Sequence, residues 1–187
     1  MKAQDLFTSM RFLLDDMQGN KYSDYLLAES VNSVLSIINN ALSNVSSEIL
    51  TNEVNLTLTY ESVDIPTDYQ SIVNVFAGNN CLTYQSKSLP VDNYTYRIRN
   101  NKLYSANDNV TVHYKRTLAR IDASDLTTDL PLPDYFAELL KKYAIALLNG
   151  GISKGDAPIT QQVTADTYKL TSGREYNSVE FTPSFTI

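Results

Sequence analysis

The sequence is short of most residues that do chemistry. Its 187 residues include no Trp, one Cys and one His. The lone Cys81 excludes an internal disulfide and any multi-cysteine metal site. His113 has no partner for a histidine cluster and sits on the polar side of an alternating stretch, the pattern of a surface side chain. Basic residues are outnumbered by acidic ones, 15 to 21, giving a formal charge of −6. That balance opposes binding by phosphate neutralisation or by attraction to an anionic membrane surface. No apolar run approaches the ~18 residues of a membrane span. The start, Met1-Lys2-Ala3-Gln4-Asp5, lacks the continuous apolar stretch of a signal peptide. A soluble, non-exported, acidic protein with no membrane association is expected.

Catalytic and cofactor motifs are missing too. Gly150-Gly151-Ile152-Ser153-Lys154-Gly155 carries glycine and lysine but follows a helical pattern rather than a strand, so it reads as a helix cap, not a phosphate cradle. Asp15-Asp16 and the series Asp122, Asp125, Asp129 lack the glycine and closing glutamate of a calcium loop. Cys81 follows a turn and reads as a small apolar strand residue. The basic clusters Lys115-Arg116-Arg120 and Lys141-Lys142 are solvated faces rather than a nucleic-acid patch. Asn44, Asn55, Asn93 and Asn109 each begin an N-x-Ser/Thr triplet, which chance supplies in a chain rich in Asn and Thr. No acid–base or nucleophile set can be assembled. The expectation is no enzyme, no cofactor and no metal.

What is present is 43% hydrophobic residues, enough for a core, and 13 Tyr. Ala3 to Asp16 reads as an amphipathic helix with Leu6, Met10, Leu13 and Met17 on one face and Phe7 and Leu14 beside it. Ser23 is placed to cap a second helix running to about Val45. Its apolar stripe is Leu27, Val31, Val34, Leu35, Ile38, Ala41 and Leu42. Its polar face is Glu29, Asn32, Ser36, Asn39 and Asn40. The short link makes the two helices expected neighbours.

From Thr51 the period becomes alternating: Val54, Leu56, Leu58 and Tyr60 face one side. Further strands are expected over Gln70 to Ala77, Cys81 to Tyr84, Tyr94 to Arg99, Lys102 to Ser105 and Val110 to Arg116. Asn100-Asn101 forms a tight hairpin, because Asn tolerates positive φ. Leu118 to Asp129 is a polar link. Pro133 suits a first helical position, with Phe136, Leu139, Leu140, Tyr143, Ala144 and Leu147 as the next stripe and Gly150-Gly151 as its stop. Pro158 opens a weaker helix to about Leu170, with Val163 and Tyr168 as its apolar positions. From Thr171 no period holds, yet Tyr176, Val179, Phe181, Phe185 and Ile187 punctuate a polar tail. Disordered segments are poor in such groups, so the tail is expected to dock on something.

The expected fold is α+β: a bundle of about four helices with an inserted small antiparallel β subdomain and an extended C-terminal tail. The expected boundaries are 1–50 for the first helical pair, 51–117 for the β insert, 118–170 for link and later helices, and 171–187 for the tail.

Three stretches carry a resemblance. They are Leu13-Leu14-Asp15-Asp16 followed by Tyr22-Ser23-Asp24; Ile65-Pro66-Thr67-Asp68-Tyr69 leading into a strand; and Leu132-Pro133-Asp134-Tyr135-Phe136 leading into a helix. In this order the chain resembles the head–tail connector (adaptor) proteins of tailed bacteriophages, especially the tail adaptors of short-tailed phages. The resemblance implies a ring, typically of twelve copies, docked on the portal protein and receiving tail or nozzle proteins, with DNA only as cargo passing through the lumen. It implies location in the neck of the virion and assembly in the host cytoplasm. Tyr176, Val179, Phe181, Phe185 and Ile187 are then expected to contact the portal or a neighbouring subunit. Another neck or tail structural protein is the nearer alternative. A glycan-binding surface module is the farther one, disfavoured by the missing signal peptide and the missing Trp.

Overall fold

A computed structural model describes residues 1–45, 48–86, 90–150 and 158–175, with side chains as far as Ser172. The described residues hold four α-helices: α1 (Ala3–Leu13), α2 (Asp24–Asn44), α3 (Ala137–Leu148) and α4 (Ile159–Glu175). Eight strands lie between α2 and α3: β1 (Thr51–Thr57), β2 (Ser62–Asp64), β3 (Tyr69–Ala77), β4 (Asn80–Cys81), β5 (Thr83–Tyr84), β6 (Thr95–Arg99), β7 (Lys102–Ser105) and β8 (Asn109–Arg116). The chain divides into two compact units. One comprises Met1–Ser47 with Leu118–Ile187, the other Glu48–Thr117.

In the helical unit, α2 is the central element and packs against both α3 and α4, while α1 packs against α3. Ser23 caps α2, its hydroxyl accepting from Leu26 N–H at 3.3 Å. All seven residues of the α2 stripe are buried. Burying each of its six Val, Leu and Ile side chains is worth about 1.5–3 kcal/mol, which explains why one stripe organises the unit. The face of α1 differs from the expectation. Ala3, Leu6, Phe7 and Met10 are buried, but Leu13 and Met17 are 57% and 56% exposed. The helix ends at Leu13, so Leu13 stands on its last turn and Met17 lies beyond it. Nor are α1 and α2 main packing partners despite their short link; the turn between them sends α1 onto α3 instead.

Two polar positions on α2 are not solvated. Asn32 and Asn39, seven residues apart and so on one face, are buried. Asn32 Nδ2 donates to the Ile121 carbonyl at 3.0 Å while its Oδ1 accepts from Ile121 N–H at 2.8 Å. Asn39 Oδ1 accepts from Leu118 N–H at 3.0 Å. The stretch read as a polar link is thus strapped to α2, with Leu118 and Ile121 buried. Further along, the Thr128 and Leu126 carbonyls accept from Ala3 and Gln4 N–H, both at 3.0 Å. They satisfy donors that every helix start leaves open. Asp122 and Asp125 form side-chain turns with Ser124 and Thr127, not an ion site. Among the described residues no His, Cys, Asp and Glu group could hold a metal ion.

The expected bundle with a small antiparallel insert is corrected by the β unit. It is two four-stranded sheets, ordered β1-β8-β3-β4 and β2-β7-β6-β5. They share a core of Leu58, Ile65, Val75, Leu82, Tyr96, Leu103, Val110, Val112 and Tyr114. β5 and β6 pair parallel, with Thr83 opposite Thr95 and Tyr84 opposite Tyr96. The β region differs because β2 is only three residues long, too short to show a period of two, and the stretch Cys81 to Tyr84, expected as one strand, divides between β4 and β5 in different sheets. Tyr60 is not a strand position. With Glu61 it forms a two-residue turn at φ of 52° and 61°, and its ring is 96% exposed. Asn100 and Asn101 do make the expected hairpin, at φ of 51° and 58°, between β6 and β7.

The C-terminal expectation is corrected as well. Pro133 precedes a 3₁₀ turn, Asp134–Phe136, that feeds α3 rather than opening the α-helix itself. Gly150, at φ +88°, stops α3 as expected. α4 continues to Glu175, five residues into the stretch read as extended. Its buried positions are Val163 and Thr167, four residues apart, and the Thr167 hydroxyl donates to the Val163 carbonyl at 2.7 Å. That internal bond is what lets a polar residue occupy the core face.

Candidate functional site

The first quoted stretch builds the corner between α1 and α2. Asp16 is buried, and its carboxylate accepts from Lys21 N–H at 3.1 Å and from Tyr22 N–H at 2.8 Å. Arg11 crosses the corner: Nη1 donates to the Tyr22 carbonyl at 2.8 Å and Nη2 to Asp24 at 2.6 Å. Burial pushes the Asp16 carboxyl up, but the N–H bonds from Lys21, Tyr22 and Asn20, with Arg11 beside them, outweigh it and hold it below its usual value. Gly19 closes the turn at φ +68°, and a Cβ there would lie 2.9 Å from Arg11 Nη1. The Leu-Leu-Asp-Asp to Tyr-Ser-Asp pattern is therefore a rigid corner built around one buried carboxylate.

That corner displays apolar groups. Phe12 is 73% exposed and Tyr25 65%, and Leu13, Met17 and Leu26 are also exposed. All five fall within residues 12–26, at the end of α1 and the start of α2. Large apolar groups left exposed on an ordered feature are what contact surfaces display. Sequence reading assigned Leu13 and Met17 to the core, because period alone does not say where a helix stops.

The second stretch is an anchor inside the β unit. Asp68 accepts from Tyr114 Oη at 3.0 Å, and its carbonyl accepts from Thr117 N–H. Burial raises the Tyr114 phenol above its ordinary value, and the Asp68 bond adds to this. The third stretch places Leu132 and Phe136 in the helical core, with Leu130 buried just before it. All three patterns are thus parts of the framework rather than reactive groups.

A groove of 420 Å³ lies between α3 and α4, lined by Tyr135, Glu138, Leu139, Lys142, Asp166, Lys169 and Leu170. At its rim Asp166 accepts from Tyr143 Oη at 2.8 Å and from Lys142 Nζ at 3.1 Å, and Lys169 Nζ lies 3.3 Å from its second oxygen. The Tyr143 and Lys142 bonds lower the Asp166 carboxyl, and the Asp166 bond raises the Lys142 ammonium. Sequence reading missed this groove. The only signal was the acid–base spacing of Asp166 and Lys169 on one helix face, which usually marks a solvated surface.

His113 lies on the outward side of β8, where Nε2 is 3.2 Å from Glu53 and the ring packs on Phe76 at 5.2 Å. Cys81 is exposed in β4 rather than packed as an apolar strand residue. No helix among the described residues is long and apolar enough to cross a membrane. Tyr176, Val179, Phe181, Phe185 and Ile187, the expected contact residues, lie outside the described residues.

A family model described as SU10 adaptor protein matches residues 1–175. No curated protein matches the chain. The matched span contains all three quoted stretches, the corner, the anchor and both units' cores. The chain belongs to the SU10 adaptor protein family and is a structural adaptor of the phage particle, associated there with other virion components.

Proposed function

We propose that this adaptor is a ring-forming head–tail connector. About twelve copies dock on the portal protein, receive tail or nozzle proteins on the opposite side, and leave a channel through which the genome passes. The observation that carries the reading is the family match from residue 1 to 175. Two properties of the chain support it. A net charge of −6 gives a subunit that does not grip a DNA backbone moving past it. The α1–α2 corner offers Phe12, Leu13, Met17, Tyr25 and Leu26 to a partner on a framework that Arg11 and Asp16 hold fixed. In a ring each subunit meets the next through two different surfaces, so the contact is heterologous and closes by rotation.

The segment 171–187 supplies the second attachment. Its first residues extend α4, and Tyr176, Val179, Phe181, Phe185 and Ile187 contact the portal or the adjacent subunit. Assembly takes place in the host cytoplasm. Co-sedimentation with purified portal rings tests both attachments. Deleting Thr171–Ile187 abolishes co-sedimentation, and Phe12→Asp with Leu13→Asp weakens it at least tenfold while the melting temperature stays within a few degrees. Undiminished co-sedimentation of both variants contradicts the reading.

A further inference from the structure

We infer that in the free chain the groove between α3 and α4 is the seat of the chain's own segment from Tyr176 to Ile187, an intramolecular site for an aromatic peptide. This inference concerns the free protein and does not rest on portal docking.

The first observation is the groove itself. Its apolar lining is Tyr135, Leu139 and Leu170, and its volume of 420 Å³ lies within the roughly 300–1,000 Å³ of sites that hold organic groups. The second is charge. Glu138 is taken up by Lys141, with Nζ to Oε1 at 2.6 Å. Lys142 and Lys169 both rely on the single carboxylate of Asp166. The rim is left with one positive charge in excess. The segment 176–187 contains Glu180 and no Lys or Arg, with Val179 and Phe181 on either side of the carboxylate. In extended chain, Glu180 faces opposite to Val179 and Phe181, so one face can meet the rim while the other meets the apolar lining.

The third observation is reach. Leu170 lies five residues before Glu175, where α4 ends, about 7.5 Å along the helix. Six residues separate Glu175 from Phe181, about 20 Å of extended chain. The segment can therefore turn back onto the groove beside its root. Such a tether gives an effective concentration in the millimolar range, which favours the same chain over a second copy.

The test uses the full chain and a labelled synthetic peptide of residues 176–187 as probe. The wild-type chain has its groove filled and binds the peptide weakly. The double variant Phe181→Asp, Phe185→Asp releases the groove and binds it at least tenfold more tightly. Adding Leu170→Glu to that variant removes the gain. So does adding Lys142→Glu with Lys169→Glu, whose side chains are 62% and 78% exposed, in protein whose thermal melt shows that the fold is kept. Equal binding by wild type and the double variant overturns the inference, as does no binding by either. Gain retained in the presence of both groove substitutions overturns it too. Portal co-sedimentation is a separate readout, so either reading can fail alone.

Discussion

The two units hold polar backbone in different ways. In the β unit, ladder bonds satisfy it: β8 runs antiparallel between β1 and β3, with Val112 opposite both Val54 and Val75. In the helical unit, backbone outside the helices' own turns is held by side chains and a returning strap: Asn32 and Asn39 bind residues 118–121, and residues 126–128 cap α1. A ladder spreads the loss of any one polar partner over its neighbours. A clamp concentrates it, because a buried donor or acceptor left alone costs about 1–3 kcal/mol. The helical unit should therefore be sensitive at polar positions and the β unit at apolar ones.

The largest expected effect breaks the β side of that contrast. Leu103 is fully buried, and Leu103→Ala should cost about 3 kcal/mol. Denaturant unfolding monitored by hydrogen exchange should show the loss in the β strands. An equal loss across the helices would show that the units do not respond separately. Next comes Asn32→Ala, which orphans the N–H and carbonyl of Ile121 and should cost about 2–3 kcal/mol despite removing no apolar group. A change under half a kilocalorie per mole would mean that water takes the place of the amide. Gly19→Ala should cost about 1–2 kcal/mol from the left-handed backbone alone, and more as Arg11 is displaced from the corner. Thermal melts of this variant beside Asn101→Ala, a left-handed site in the β unit, separate the two contributions.

The smallest effects are read in how stability falls with pH. Asp16 and Asp92 both have carboxyls held below the ordinary 3.8. For Asp92 the cause is chiefly the Thr95 hydroxyl, then the Tyr94 N–H. A carboxyl lowered in the folded state stabilises the fold fully above its unfolded value. That contribution drains away as pH falls through the lowered one. Asp16→Asn should flatten the fall of stability below about pH 4, and Asp92→Asn should do so less, since its turn is exposed. A steeper acid limb in either variant would contradict the assigned sign.

These contrasts also explain what could be read without coordinates. α2 was legible residue by residue because seven apolar positions at helical spacing, with Ser23 before them, admit one reading. Asn100-Asn101 was legible because its side chains favour the φ that the turn demands. Asn32 and Asn39 were not, since an amide facing water and an amide gripping a backbone look alike in sequence. The three quoted patterns pointed to the family, yet their role was hidden. The buried carboxylate of Asp16 meets its partners through backbone N–H groups, which leave no trace in residue identity. The α3–α4 groove was hidden for another reason. It is formed by residues some thirty positions apart whose charges look like an ordinary solvated face.

Ring formation at the portal is the central expectation for this adaptor. Negative-stain imaging of the purified protein with and without portal rings tests it directly. The expected result is a coaxial ring of about twelve subunits added to one end of the portal, with an open lumen. Portal particles unchanged by an excess of the folded protein would contradict the account.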